Sequence, residues 1–323
     1  MYDFSFLTCF SIVARTWPFL LLRAAVFITF GLIFCILVAS CALIAHQLGP
    51  QYTPIADPWM AAGFGAVAGM GLGKAVLVLL REYTLYLVTA GHISTMSDML
   101  RDKLVPSGFA QVSNGAAVVK ENFAESSALF VLDQLIKGAL KSMDEAFRKV
   151  GAVIPVLAPV FALLGAVLTT AITYIDEMIL AHIMRTKSGN SWHTAADALV
   201  IYAQNWKTML KNAAWLTAAM LLISAGVAGF GYLIAPTVPD VSFIDGDIQT
   251  GARVIFAFAL LIVFHLIFLE PFAVCAMLQA YVKASDGQKP DPHMEDRLAT
   301  MSESFQKLRG GKEDGWSSLF KPA

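Results

Sequence analysis

Glu82, Glu177 and Glu270 each stand inside a hydrophobic run, in Arg81-Glu82-Tyr83, Tyr174-Ile175-Asp176-Glu177 and Leu269-Glu270-Pro271-Phe272. A carboxylate at membrane depth is expensive. Such groups face a bundle interior or a wet cavity, where they mark ion, proton or substrate paths. Aromatic residues accompany all three: Tyr83 and Tyr86 beside Glu82, Tyr174 one helical turn before Glu177, and Phe272 after Glu270. Carboxylates next to aromatic faces suit an organic cation, because charge pairing and cation–π attraction act together. Carboxyl groups that burial keeps partly protonated suit proton coupling. The expected substrate or ion site is therefore Glu82, Glu177 and Glu270, lined by Tyr83, Tyr86, Tyr174 and Phe272 and modulated by Asp176 and Lys74. Two plainer readings stand beside it. Glu82 and Glu270 could pair with Lys74, Arg81 or His265 and only tie helices together, or the acids could sit at the interface and snorkel.

The elements that must position these groups are membrane helices. The chain has 323 residues, of which 57% are hydrophobic and 15% charged, with a mean hydropathy of +0.64. A soluble domain carries roughly 25% charged residues, so the composition predicts an all-α, polytopic integral membrane bundle. The balance of 23 basic to 24 acidic residues gives no case for nucleic acid as a partner. About 20 apolar residues cross a bilayer as a helix. Pro18–Ala45, Trp59–Thr89, Val153–Met184, Ala213–Ala235 and Val254–Val282 meet that length. The N-terminus lacks the basic start and small-residue cleavage site of a signal peptide, so the first segment is expected to act as an uncleaved anchor.

Loop charges orient the segments. Residues 46–58 and 236–250 hold no Lys or Arg, whereas 95–150 carries Arg101, Lys103, Lys120, Lys137, Lys141, Arg148 and Lys149, and the tail is also basic. The positive-inside rule places the latter two regions, and with them the C-terminal tail, in the cytoplasm; a bacterial inner membrane is the expected location. Both flanks of Val153–Met184 are basic, which five simple crossings would not satisfy. Four full spans plus a middle re-entrant hairpin, with Pro155, Pro159 and Gly165 breaking the helix, meet the rule; five spans is the competing count.

This reading divides the chain into an N-terminal membrane hairpin (1–95), a cytoplasmic or interfacial amphipathic region (96–150), a membrane core with the middle and C-terminal hairpins (151–285), and a cytoplasmic tail (286–323). Phe123–Val150 carries one apolar stripe interleaved with charge, as a helix lying on a membrane or against the bundle would. Ser191–Asn212 is similar, with Trp192 and Trp206 as interfacial anchors. One helix is expected in the tail around Met294–Leu308. The first two segments and the last two form hairpins of like design, a rough internal symmetry of the kind that places transporter sites near the midplane.

Other constellations carry less. Gly65, Gly69 and Gly73 recur every fourth residue and let two helices approach closely. The string Gly71-Leu72-Gly73-Lys74-Ala75 is not a phosphate loop, because Ala68 and Ala75 replace the required residues. Lys74 is expected to pair with a buried acid or an anionic headgroup. Cys9, Cys35, Cys41 and Cys275 have no metal-site spacing and read as small apolar residues. The six histidines are scattered, no nucleophile or metal motif appears, and neither an enzyme nor a cofactor is expected.

From Leu132 to Gly287 the order of features resembles the C-terminal half of choline transporter-like proteins. Leu132-Asp133-Gln134-Leu135-Ile136-Lys137 is similar to their amphipathic helix before the final spans. Ala195–Asn212, with Asn205-Trp206-Lys207, is similar to the segment leading into the penultimate pair, and Leu269–Ala284 followed by Ser285-Asp286-Gly287 to the closing helix. The chain is short for that family and has no large extracellular domain. The resemblance implies transport of a choline-like cation. The function expected from the whole sequence is transport of a small solute, cation or proton. The alternative is a non-catalytic membrane scaffold or accessory subunit that binds lipids, protein partners or further copies of itself.

Overall fold

The computed structural model describes residues 2–52, 57–122, 167, 170–186, 190–234, 254, 258 and 260–310; of 75–82 it describes the helical backbone alone. Every described element is a helix. They are α1 (Phe6–Arg15), α2 (Trp17–Tyr52), α3 (Pro58–Met99), α4 (Ala110–Asn122), α5 (Ile175–Thr186), α6 (Ser191–Gln204), α7 (Trp206–Ile234), a π-helical turn (His265–Leu269), α8 (Glu270–Ser285), α9 (Pro292–Met301) and α10 (Glu303–Gly310). Among the described residues, three helices are long and apolar enough to cross a membrane: Trp17–Tyr52, Trp206–Ile234 and Leu260–Ser285. The amphipathic stretch 123–150, the breaking residues Pro155, Pro159 and Gly165, and the loop 236–250 lie outside the described residues.

The chain divides into two compact units, 17–89 and the remainder. The first is the hairpin of α2 and α3. Its register is set by glycine. A Cβ built on Gly65 would stand 2.5 Å from Ala45 Cβ and from the Cys41 carbonyl oxygen. One on Gly69 would meet Val38 Cα at 2.9 Å, and one on Gly73 the Phe34 ring at 2.7 Å. Moving along α3, the partners on α2 run backwards, so the helices are antiparallel and nearly in backbone contact. Close approach of this kind replaces the hydrophobic drive that lipid does not supply. The outer face of α2 keeps Ile28, Leu32, Ile36 and Leu43 exposed, as a lipid-facing helix would. At 42 residues, α3 is roughly 63 Å long, about twice the hydrocarbon thickness, and its last turns belong to the second unit.

The second unit is built around α6. Thr194 to Ala203 are buried on every face except at Asp197, so α6 is a core helix and not the one-striped helix its sequence suggests. It packs against α5, α7, α8, α9 and α10, while α8 also packs against α1, α5 and α7. Side chains with a polar acceptor start three of these helices. Ser5 caps α1 through Thr8 N–H, Asn190 caps α6 through Trp192 and His193 N–H, and Asp291 caps α9 through His293 N–H.

Two breaks divide what the sequence presents as continuous helices. Asn205 separates α6 from α7: its side chain donates to the Ile201 carbonyl at 2.9 Å and to Gln288 Oε1 at 2.7 Å, while Gln288 Nε2 donates back at 3.3 Å. Gly287, at φ +68°, turns the chain so that Gln288 can reach. Ser302 separates α9 from α10, and its hydroxyl accepts from Phe305 N–H. Arg309 then ties the two by ion pairs to Glu295 at 2.7 Å and Asp296 at 3.1 Å.

The N-terminal segment is not a simple extension of the first span. It forms a separate helix, α1, ended at Thr16, whose hydroxyl turns back to the Ile12 and Val13 carbonyls. Tyr2, Phe4 and Phe6 cluster, with Tyr2 edge-on to Phe6 and to Trp215, and Phe6 stacks on Phe272 at 5.8 Å. Asp3 sits at the centre of this anchor, 2.6 Å from Lys211 Nζ.

Candidate functional site

In the second unit the chain turns at Tyr174 and restarts as α5, which puts Asp176 and Glu177 in the first helical turn. The exposed N–H groups and dipole of a helix start favour negative charge there. Glu177 Oε2 is buried and has no hydrogen-bond partner among the described residues. The Glu177 backbone N–H donates to Asp176 Oδ1 at 3.1 Å, which fixes the Asp176 side chain at the helix start.

Glu270 approaches from the other side. The helix Leu260–Ser285, long and apolar enough to cross a bilayer, carries the π turn His265–Leu269, closed by a bond from Glu270 N–H to the His265 carbonyl. Pro271 follows at the start of α8. Proline has no N–H, and its ring collides with the carbonyl four residues before it. The wider π turn accommodates both defects without interrupting the span. Such turns recur at functional sites. Packing of α8 on α5 brings Glu270 near enough for its charge to act on Glu177. Tyr174 is buried at the same turn. Phe272 is half-buried and stacks on Phe6, which ties it to the N-terminal anchor.

The structure thus brings Tyr174, Asp176, Glu177, Glu270 and Phe272 into one unit. Lys74, Glu82, Tyr83 and Tyr86 belong to the other. There Lys74 is exposed, Tyr83 and Tyr86 are half-buried, and the Glu82 side chain is outside the described set. Gly65, Gly69 and Gly73 line the contact with α2 described above. Among the described residues, no cluster of three His, Cys, Asp or Glu side chains is placed to hold a metal ion.

Several polar groups have no counterpart among the residues singled out from sequence. Arg23, early in α2, is 2% exposed and reaches Thr89 Oγ1 at 3.5 Å from Nη1. Its signal was legible: an arginine inside an apolar run. Between α8 and α5, Tyr281 Oη lies 3.0 Å from His182 Nδ1, and its ring stacks on Tyr202 at 6.2 Å. Tyr202 donates to the Ala171 carbonyl at 2.8 Å, and burial pushes its hydroxyl far above the ordinary tyrosine range, so it is a permanent donor. Arg185 ends α5 with Nε and Nη1 buried and without a hydrogen-bond partner among the described residues. Burial, and then the charge of Arg101, pull it below the usual arginine value. His92 Nε2 meets Thr16 Oγ1 at 2.8 Å. None of these pairings has a sequence spacing that would reveal it.

What these features define is an all-α protein with helices suited to a bilayer. No protein-family model matches the chain, and neither characterised proteins nor solved structures supply a match.

Proposed function

We propose that the chain is a multi-pass membrane protein that moves a small cation or a proton past Asp176, Glu177 and Glu270. The observation that carries this reading is the packing of the helix that holds Glu270 against the helix that holds Glu177. Glu270 follows a π turn, and Glu177 has a buried carboxyl oxygen that no described group satisfies. Negative charge concentrated in this way is stable only with a proton or a cation among the carboxyls. Tyr174 and Phe272 supply aromatic faces, which favour an organic cation over a bare metal ion. A choline-like cation is the substrate class that the resemblance to choline transporter-like proteins implies.

In this proposal four spans and a middle re-entrant hairpin cross a bacterial inner membrane, with the basic region 95–150 and the tail in the cytoplasm. Loop charge supports that orientation. Glu82, Tyr83, Tyr86 and Lys74 remain candidates within the N-terminal hairpin, tested by the same substitutions.

The test is thermal unfolding of the purified protein against a panel of organic cations, anions and lipids, beside the Glu82/Glu177/Glu270→Gln triple variant. A ligand that binds only the folded state raises the melting temperature. Stabilisation by one cation, lost in the variant, supports transport. A response to lipids alone, kept in the variant, supports the scaffold reading in its place.

A further inference from the structure

A second site, lined by none of the carboxylates, lies where α5, α6, the start of α7 and α9 meet. These elements enclose a cavity of about 430 Å³, within the range of roughly 300–1,000 Å³ that small-molecule sites occupy. Its walls are Ile172, Ile175, Ala203, Leu210 and Leu298 with three methionines, Met209, Met294 and Met301. The polar groups in the lining are few. The Tyr202 hydroxyl is already engaged by the Ala171 carbonyl, and Trp206 presents a half-exposed indole. Arg297 is exposed and enters no ion pair among the described residues.

We propose that this cavity holds the acyl chain of a single-chain lipid whose anionic head rests on Arg297. Three observations select that occupant. The walls are apolar and, through methionine, adaptable to a flexible chain. Trp206 lines the cavity and is the first residue of the apolar helix Trp206–Ile234, and tryptophan marks the depth at which lipid heads and chains divide. The cations there are Arg297 on the lining and Lys207, whose Nζ lies 5.7 Å from the Trp206 ring; they complement a negative head. Guanidinium binds phosphate and carboxylate oxygens in pairs, which a neutral or zwitterionic head does not reward equally.

The experiment is a titration of the purified full-length protein in a non-ionic detergent with lysophosphatidylglycerol and with lysophosphatidylcholine of the same chain, counting bound lipid by native mass spectrometry. One molecule of the anionic lipid is expected to bind, about tenfold more tightly than the zwitterionic one. Arg297→Glu should erase that preference and leave the melting temperature unchanged, because the side chain is exposed. Ala203→Phe should block both lipids by filling the cavity. Met294→Trp should do the same from the half-exposed helix α9, so that a folding defect in the first variant does not decide the result. Equal affinity for the two lipids, or binding that survives both filling variants in folded protein, overturns the proposal.

Discussion

Asp3 and Asn212 hold each other in both directions: Asp3 N–H donates to Asn212 Oδ1 at 2.7 Å, and Asn212 Nδ2 donates to Asp3 Oδ2 at 2.8 Å. Lys211 Nζ completes the arrangement at 2.6 Å. The segment before α1 is thereby fixed to the start of a spanning helix, and the aromatic cluster around Tyr2 and Phe6 closes over it.

This contact makes stability depend on acid. The hydrogen bond and charge of Lys211 hold the Asp3 carboxyl below its ordinary value of 3.8. A depressed folded value means that the unfolded chain takes up the proton first. The contribution of Asp3 is therefore complete above the unfolded value and disappears as pH falls through the folded one. Asp3→Asn is expected to lower stability by about 1 kcal/mol near neutrality, a modest figure because Lys211 is partly exposed and solvent screens the pair. The gap between variant and wild type should close as pH falls through the depressed folded value. Thermal unfolding across a pH series checks both statements.

Glu177→Gln removes a charge that its neighbours Asp176 and Glu270 oppose, from a position where one oxygen is buried without a described partner. The fold should tolerate the change or gain from it, since an uncompensated buried charge destabilises. Cation-dependent flux into proteoliposomes should fall by roughly tenfold or more, the factor set by about 1.4 kcal/mol at the site. Unaltered flux in a folded Glu177→Gln and Glu270→Gln pair would remove the carboxylates from the mechanism.

The α2–α3 contact separates glycines that look alike in sequence. Gly65→Ala would place a methyl group 2.5 Å from the Cys41 carbonyl oxygen, part of a helix backbone that cannot step aside. A loss of about 1–3 kcal/mol is expected. Gly71 has nothing within 4 Å of an added Cβ, so Gly71→Ala should be neutral or stabilise by up to about 1 kcal/mol through helix propensity. Melting temperatures of the two variants, measured side by side, decide whether the packing geometry holds.

Tyr281 and His182 join α8 to α5 in a buried site. Tyr281→Phe keeps the ring against Tyr202 but deprives His182 Nδ1 of its partner, which is expected to cost about 1–3 kcal/mol. His182→Leu should cost less when added to Tyr281→Phe than when made alone, because the two residues share one interaction. A double-mutant cycle by chemical unfolding measures that coupling; strict additivity would mean that the contact contributes nothing.

Much of the architecture was legible in the residues because it rests on local and scalar properties. Apolar runs long enough for a bilayer became α2, α7 and the helix ending in α8, since length and transfer energy depend on composition alone. The spacing of Gly65, Gly69 and Gly73 put them on one helical face, and that face meets α2. Capping residues such as Asn190 and Asp291 act within three positions of themselves. The sequence by itself therefore determined the helical class and the face along which the N-terminal hairpin packs. Ser302 ends a helix through bonds within four residues of itself, whereas Thr16 and Asn205 also find partners far along the chain, His92 and Gln288. Tertiary structure alone decided that the helices carrying Glu177 and Glu270 pack together while Glu82 belongs to another unit, and that His182, Tyr202 and Tyr281 share a core. Such meetings are fixed by how whole helices pack, a sum over many weak contacts that no spacing within one segment encodes.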